Sequence, residues 1–260
     1  MAGVKDLFYY NLLFYARTRR FQIMLPLSVV VAFLNTILVV FKVVSKPPSP
    51  YLFTEANLGY SEILFILIAS MFAGDLVSRD FSKEGLFILT QPFERWKVFA
   101  VKLIASAFAS IAVALAYLAG SFASTYALYK FVVPTWSEII GISILAVVSL
   151  VCFVSFFSAL VKSPTISITV SIFILLIAFP LVQSIMGDVN REPFFLVTYA
   201  LEVITNLAQS TYPPHAVPVA GDSVTYNPTV PESVAIFLAY LALGALASLV
   251  IYKKKELAEA

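Results

Sequence analysis

A short charged stretch between two apolar regions carries the side chains best suited to contact a partner protein. It reads RDFSKEGLFILTQPFERWK from Arg79 to Lys97. Its first half, Asp80–Glu84, is strongly charged and its second half, Leu86–Leu89, is apolar. This pattern favours a short helix at a membrane surface that exposes polar groups to a cytosolic partner. Pro92 is expected to end the helix, because proline lacks the amide donor and disfavours helix at the preceding residue. An amphipathic loop helix without a partner has the same pattern.

A second set of polar side chains recurs at helical spacing near residue 200. The segment Pro193–Gln209 is helical in pattern, with Pro193 suited to a first-turn position. The spacing i, i+4, i+7, i+11 puts four polar residues on one face of this helix, namely Thr198, Glu202, Thr205 and Gln209. We interpret the segment as a re-entrant or interfacial helix whose polar stripe faces water or a neighbouring subunit. A soluble cap helix is the alternative.

Residue types that catalyse reactions or bind metals are few. The chain has one cysteine, Cys152, and one histidine, His215, which excludes an intramolecular disulfide, a cysteine-rich zinc site and a multi-histidine cluster. His215 lies in a proline-rich stretch and is interpreted as an exposed loop residue. The sequence contains no nucleophile elbow, no H-E-x-x-H and no G-x-x-x-x-G-K-[ST]. We therefore expect no catalytic residues, no metal and no cofactor bound by this chain.

The composition indicates an integral membrane protein. Of the 260 residues, 60% are hydrophobic and 12% are charged, and the mean hydropathy is +0.93. Soluble domains average about 45–50% apolar and about 25% charged residues. The net charge of +2 gives no indication of a nucleic-acid partner.

Six apolar stretches approach the roughly 20 residues that a spanning helix needs. They are Phe21–Phe41, Ser61–Val77, Leu103–Tyr129, Ile139–Val161, Thr165–Gly187 and Ser233–Tyr252. None has a charged residue in its central part, which disfavours a proton-driven or ion-coupled carrier. The third is longer than a bilayer requires and is expected to tilt or to extend beyond the membrane. The residues between the first two, 43–60, are expected to be an external connection.

Smaller features within these stretches concern packing and passage. The spacings Gly120 to Ser124 and Gly244 to Ser248 suit close helix packing. Pro180 is expected to kink the fifth span. Asn35 is an uncharged polar residue of the first span. With the four residues of the polar stripe it forms our candidate set for a substrate passage or outer gate.

The basic residues predict an orientation. With the N-terminus inside, the cytoplasmic side holds 13 Lys and Arg residues and the outer side holds four. This bias predicts a multi-pass protein of the plasma membrane with both termini cytoplasmic. Within residues 1–20, Val4–Ala16 is expected to form an interfacial helix, with Arg17, Arg19 and Arg20 at the lipid headgroups. An N-terminal extension of the first span is the alternative.

The connection between the second and third stretches resembles that of a known family. It contains Glu84-Gly85-Leu86, then Leu89, then Pro92-Phe93-Glu94-Arg95, and Lys102 follows. This resembles the cytoplasmic segment between spans two and three of type-2 ABC exporter permeases. There the pattern is an acidic residue, Gly, a small residue, a Leu-rich turn, Pro, an aliphatic residue, Ser, Arg and a later Lys. The chain departs at Leu86 and at Phe93-Glu94 but keeps the spacing from Pro92 to Arg95 and on to Lys102.

The resemblance implies a coupling helix within residues 75–102 that docks on a separate ATP-binding subunit. The residues expected at that contact are Asp80, Phe81, Lys83, Glu84, Gly85, Leu86, Leu89, Pro92 and Arg95. The resemblance further implies two permeases, identical or similar, working with two ATPases in the lipid bilayer. ATP and Mg²⁺ are then expected in the partner subunit.

We therefore predict an all-α, six-span permease domain covering residues 1–260, with an extracellular segment at 188–232. Its predicted function is that of the permease subunit of an ATP-driven ABC exporter, without enzymatic activity of its own. Two alternatives from other classes are a non-transporting membrane scaffold or accessory subunit and an ion-coupled secondary transporter.

Overall fold

Six helical segments form the body of the protein. The computed structural model describes residues 4–81, 94–218 and 224–254. The protein is mostly helical there, and six segments are long and apolar enough to cross a membrane. They are Arg19–Val40, Pro50–Phe81, Arg95–Tyr129, Trp136–Leu160, Pro164–Asp188 and Val230–Lys254, numbered below as spans one to six. The prediction of a mostly helical protein with six candidate membrane spans is therefore confirmed, whereas the two-stranded sheet described below was not predicted.

The N-terminal helix is separate from the first span. Helix α1 covers Val4–Arg17 and helix α2, the first span, covers Arg19–Val40. Between them Thr18 has extended backbone, and its hydroxyl accepts from the amide of Phe21 as an N-cap. The N-terminal helix is therefore not a continuous extension of the first span. It packs against span three, where the ring centroids of Phe8 and Phe108 lie 6.0 Å apart.

The second span begins earlier than predicted and is broken twice. It consists of α3 (Pro50–Leu58), α4 (Ser61–Ala73) and, after a turn, a 3₁₀ turn at Ser78–Phe81. The expectation that residues 43–60 are only a connection was wrong. Helix α3 forms there because the Ser49 hydroxyl accepts from the Tyr51 amide at 3.2 Å and Pro50 occupies the first turn.

The third span is the longest helix. Helix α5 covers Arg95–Tyr129 and has 35 residues. At a rise of 1.5 Å per residue it measures about 52 Å, against about 30 Å for the hydrocarbon core of a bilayer. It therefore extends beyond any single bilayer core, as its length in the sequence predicted. Span four is a single helix, α6 (Trp136–Leu160).

The fifth span changes its helical register at its centre. It consists of α7 (Pro164–Phe173), a π-helical turn at Ile174–Ala178 and α8 (Phe179–Asp188). Pro180 is the second residue after the π turn and has no amide with which to continue the hydrogen-bond ladder. A kink was predicted at Pro180, and a π turn is one of the recognised irregularities at which helices kink.

The segment before span six is more structured than the sequence suggested. The predicted helix at Pro193–Gln209 is two short helices, α9 (Val197–Leu201) and α10 (Val203–Asn206). Pro193 precedes both, in a turn closed by its carbonyl and the Leu196 amide. A two-stranded antiparallel sheet follows, with β1 (Ala216–Pro218) paired to β2 (Val224–Tyr226). Helix α11 (Val230–Lys254) is span six.

The buried core is formed mainly by spans two and four, and two glycines permit close contacts between helices. Spans two and four are mostly buried, whereas spans one, five and six expose apolar faces. A Cβ on Gly244 of span six would lie 2.6 Å from the backbone of Cys152 in span four. A Cβ on Gly120 would lie 2.8 Å from that of Ala32. The predicted close packing at Gly120 and Gly244 is confirmed.

The bundle has two chemically different ends. The basic end holds α1, residues 74–81 and the beginning of span three. The loop end holds residues 41–49, 189–218 and 224–229. Spans one, three and five all finish at the loop end, and each is followed within two residues by a left-handed residue that terminates the helix. These are Lys42, Lys130 and Asn190, with φ of 58°, 54° and 53°.

Candidate functional site

A cavity of about 370 Å³ opens at the loop end of the bundle. Spans two and five form two of its walls, and Glu202, at the break between α9 and α10, contributes to another. Strand β2 closes the remaining side. This places the sheet, which the sequence did not reveal, directly beside the candidate site.

Glu202 is the central polar group of this cavity. Its carboxylate accepts a hydrogen bond of 2.5 Å from Nε2 of Gln183 in span five. The other end of that amide, Oε1, accepts from the Thr198 hydroxyl at 3.4 Å. Burial raises the pKa of Glu202 to about 7, against the opposing hydrogen bond from Gln183, and the carboxylate of Glu62 adds to the rise. Glu202 therefore changes its charge near neutral pH.

The charge of the cavity lining is one-sided. Three carboxylates contribute to it, from Glu62 of span two, Asp188 at the end of span five, and Glu202. Among the lining residues within the described ranges, none is Lys, Arg or His. A concave surface lined by one sign of charge concentrates the opposite sign. The cavity is therefore suited to a cation or to a ligand with a positively charged group.

The polar stripe that carries Glu202 turns toward its own chain. The Thr198 side chain is buried and reaches Gln183. The Thr205 hydroxyl donates to the carbonyl of Glu202 at 2.8 Å, and Gln209 Nε2 donates to Glu55 Oε1 of α3 at 2.9 Å. The expectation that the stripe faces water or a neighbouring subunit was wrong for Thr198, which is buried. Glu202, Thr205 and Gln209 are partly exposed, and contact of the stripe with a neighbouring subunit stays a prediction. Of the four stripe residues, Glu202 alone lines the cavity.

Asn35 belongs to a different polar group. Its Nδ2 donates to Oδ1 of Asn57 in α3 at 2.9 Å, and Asn57 Nδ2 donates to the Ser124 hydroxyl of span three at 2.7 Å. The Tyr60 hydroxyl donates to Asn35 Oδ1 at 3.3 Å, and that of Tyr117 donates to the Asn57 carbonyl at 2.5 Å. This network ties spans one, two and three together, apart from the cavity.

At the basic end, two buried carboxylates hold the start of the connection between spans two and three. Asp75 pairs with Arg20 of span one at 2.9 Å. Asp80 is fully buried and forms an ion pair with Lys102 of span three. Its second oxygen accepts from the Tyr252 hydroxyl of span six at 2.9 Å. Both oxygens of the Asp80 carboxylate are thus used within the bundle.

The backbone of the same segment is fixed by spans four and five. The Ser158 hydroxyl of span four accepts from the amides of Val77 and Ser78 at 2.9 and 3.1 Å. These amides follow the end of α4 and would otherwise lack a helical partner. A Cβ on Gly74 would lie 2.7 Å from the side chain of Ile168 in span five. Residues 74–81 therefore contact all five other spans.

The residues predicted at an ATPase contact are only partly described. Asp80, Phe81 and Arg95 lie within the described residues, and Phe81 packs edge-on against Tyr252 with centroids 5.7 Å apart. The burial of Asp80 directs its carboxylate into the bundle, so it anchors the connection and does not present its charge to a partner. The remaining six predicted contacts lie outside the described residues: Lys83, Glu84, Gly85, Leu86, Leu89 and Pro92.

Sequence comparison assigns the chain to a family. Residues 12–258 match the family described as "Protein of unknown function (DUF2705)". The chain belongs to the DUF2705 family. The match begins within α1 and ends beyond α11, so it includes both the loop-end cavity and the anchored connection. A comparison with curated proteins found no match for this DUF2705 chain.

Several polar residues of this DUF2705 protein were missed by the sequence reasoning. Glu62 lies in the first turn of α4. In the sequence it stands at the start of an apolar stretch, and it was not recognised as a candidate site residue. Gln183 was one of many uncharged polar residues within the spans. Glu192, His215 and Glu232 converge at the loop end, although they are far apart in the sequence. No local pattern signals such convergence, because it depends on how the loop between spans five and six folds back.

Proposed function

We propose that this chain is the permease subunit of an ATP-driven ABC exporter, energised by a separate ATP-binding subunit that docks on residues 75–102. The observation that carries the proposal is the anchoring of residues 74–81 to all five other spans. A force applied by a partner to the connection would reach the whole bundle through these contacts. The motif between Glu84 and Lys102 supplies the resemblance to the docking segment of type-2 ABC permeases.

In this proposal the basic end faces the cytoplasm of the cell and the loop end faces outward. Both termini are then cytoplasmic, and α1 lies at the membrane interface with its basic residues among anionic headgroups. The exposed apolar faces of spans one, five and six supply the surfaces for lipid and for a second, identical or similar permease. The cavity around Glu202 is then the outward end of the substrate route.

The test is co-purification of the tag-captured complex from native membranes. We expect a Walker-motif ATPase to be recovered with the wild-type chain, and its ATPase activity to rise when the complex is reconstituted in lipid. Charge reversal at Lys83 and Glu84 should reduce recovery of the ATPase at least tenfold. Glu138→Lys is the matched control, since Glu138 is an exposed acid in the first turn of span four at the loop end. Unchanged recovery after the reversal would contradict the docking proposal.

A second candidate is an ion-coupled transporter, favoured by one observation. Glu62 and Glu202 share the cavity, and the pKa of Glu202 of about 7 suits proton uptake and release at neutral pH. Proton flux into liposomes that contain the chain alone, with a pH-sensitive dye inside, would distinguish this candidate from the first. Flux abolished by Glu202→Gln supports ion coupling. Absence of both flux and an ATPase partner would favour the scaffold alternative.

A further inference from the structure

Three side chains from separate parts of the loop end converge on one point. Glu192 precedes α9, His215 precedes β1, and Glu232 lies in the first turn of span six. One ligand atom from each lies within 4.8 Å of the other two. From the single histidine of the sequence we expected no metal site. The fold supplies two carboxylates that the sequence does not place beside it.

The histidine ring is oriented in the way that metal-binding histidines are. Its Nδ1 lies 2.8 Å from the carbonyl oxygen of Asn227. Because a carbonyl can only accept, Nδ1 carries the hydrogen, and the neutral ring then has its lone pair on Nε2. That Nε2 points to Glu192, with 3.4 Å to Oε1. A ligating histidine normally donates its other nitrogen to a backbone carbonyl or carboxylate in this manner.

Both carboxylates are also held from outside the cluster. Glu192 Oε1 accepts from the hydroxyl of the fully buried Tyr199 at 2.8 Å. Glu232 forms a capping box with Thr229, whose amide donates to Glu232 Oε2 at 3.2 Å. These contacts leave each carboxylate in a fixed orientation before any ligand binds. Ligand groups held in this way lose little conformational freedom on binding.

The two carboxylates of the cluster favour the binding of a cation. A carboxylate oxygen of Glu192 and one of Glu232 lie within 4.8 Å of each other. Two carboxylates so close repel unless a proton or a cation lies between them. A divalent ion would satisfy both, and the lone pair of His215 Nε2 is directed to the same point.

We propose that Glu192, His215 and Glu232 bind one zinc ion at the loop end of the bundle. One nitrogen and two carboxylate oxygens form a three-ligand set that leaves a fourth position for water. Two ligands of a tetrahedral zinc ion at about 2.1 Å lie about 3.4 Å apart. The 3.4 Å between His215 Nε2 and Glu192 Oε1 has that spacing. An imidazole among the ligands favours zinc over magnesium or calcium.

The position of the site gives zinc a structural consequence. Asn227, which orients His215, directly follows β2, and β2 lines the loop-end cavity. Zinc would join this strand and the segment before α9 to the start of span six. It would thereby fix the wall of the cavity against the bundle. The inference does not depend on the proposed transport function.

The test is zinc titration of the tag-free, full-length chain in detergent by calorimetry. The chain has no other histidine to compete for zinc, and its one cysteine, Cys152, is buried. We expect one zinc per chain and a higher unfolding temperature with zinc. X-ray absorption should show a first shell of nitrogen and oxygen at about 2.0–2.2 Å without sulfur.

Substitutions identify the ligands. We expect His215→Gln and Glu232→Gln each to weaken zinc binding at least about 100-fold, since even supporting residues of metal sites contribute 10–100-fold. Glutamine at 232 retains the capping box, so span six should still begin correctly. Glu138→Gln, in the first turn of span four, should bind as the wild type does. Absent zinc binding, binding unchanged in both cluster variants, or binding of calcium or magnesium without zinc would each overturn the proposal.

Discussion

The two ends of the bundle treat their carboxylates in opposite ways. At the basic end each has a cationic partner from another span, with Asp75 beside Arg20 and Asp80 beside Lys102. At the loop end three carboxylates line one cavity without a basic residue among the described lining. Two loop-end lysines are directed elsewhere, with Lys46 over the ring of Tyr129 and Lys130 over that of Tyr126.

This difference distinguishes carboxylates that are neutralised by an ion pair within the fold from carboxylates that are not. A buried carboxylate with an ion-pair partner is compensated within the fold, and removing either partner is costly. A carboxylate that is buried without a cation keeps an unfavourable charge, so it takes up a proton near neutral pH or binds a positive ligand. The basic end thus neutralises its buried carboxylates within the fold, whereas the loop end has a cavity lined by carboxylates without a basic residue among the described lining.

The largest expected effect comes from breaking the Asp80 ion pair. Asp80→Asn leaves the Lys102 side chain, which is only 11% exposed, without its counter-charge. We expect a loss of about 3–5 kcal/mol in the free energy of unfolding. Thermal unfolding in detergent, followed by loss of the monodisperse peak in size-exclusion chromatography, measures it.

The double variant Asp80→Asn/Lys102→Met is the control for this pair. If the two charges act together, the double variant should be less destabilised than the sum of the single variants. Additive losses would show that Asp80 and Lys102 act separately, and the contrast between the two ends would lose its strongest example.

The next effect concerns Glu202 and depends on pH. Its pKa is raised from 4.5 to about 7, so between these values the folded state holds a proton that the unfolded state has released. Stability is therefore expected to fall as pH rises through this window and to be lowest above about pH 7. At about 1.4 kcal/mol per pKa unit, the change is about 3 kcal/mol. Unfolding temperatures measured from pH 5 to pH 8 should show the slope.

Glu202→Gln should flatten this pH dependence and raise stability at pH 8, because glutamine keeps a hydrogen-bonding group for Gln183 without the buried charge. Glu138→Gln, at an exposed acid of the same end, should leave the slope unchanged. A slope that persists in Glu202→Gln would show that another group at the loop end titrates in its place.

A smaller effect is expected from changing Gly244, where spans four and six pack closely. Gly244→Ala would place a Cβ 2.6 Å from the backbone of Cys152, so spans four and six must move apart. Overpacking of this kind costs about 1–3 kcal/mol. The unfolding temperature should fall accordingly.

Gly141→Ala is the matched control for Gly244→Ala. It also changes a glycine within a spanning helix, but a Cβ there would meet nothing within 4 Å. Since alanine is the better helix former by about 1 kcal/mol, this variant should be neutral or slightly stabilised. Equal effects of the two variants would show that helix propensity, and not the contact with Cys152, determines the change in unfolding temperature.

The spans were predictable because crossing a bilayer requires long apolar stretches, which are a local property of the sequence. The start of span two was missed because Ser49 and Pro50 were interpreted as loop punctuation, although the same pair caps a helix. The break of the outer helix at Glu202 was missed as well. Helical spacing alone does not show that Glu202 lies against Gln183 of another span.

The candidate site was predictable only where its residues share one helix. Glu202 was identified from the spacing of the polar stripe. Glu62 and Gln183 complete its surroundings from spans two and five, and their proximity is a property of the tertiary fold. The charge of Asp80 was evident from the sequence, but its burial was not. That depends on Lys102 and Tyr252 arriving from two other helices.

The smallest expected effect comes from an exposed ion pair at the basic end. Glu94, the N-cap of span three, and Lys97 of its first turn lie 3.3 Å apart, with 61% of the Glu94 side chain and 36% of the Lys97 side chain exposed. Hydrogen bonds from the Trp96 indole and from Lys97 lower the pKa of Glu94. Any stabilisation is therefore present at neutral pH and lost as the pH falls through that lowered pKa. Because solvent screens such pairs, Glu94→Gln should leave the unfolding temperature unchanged at neutral pH. A decrease as large as that of Asp80→Asn would mean that burial does not decide which charges of the basic end hold the bundle together.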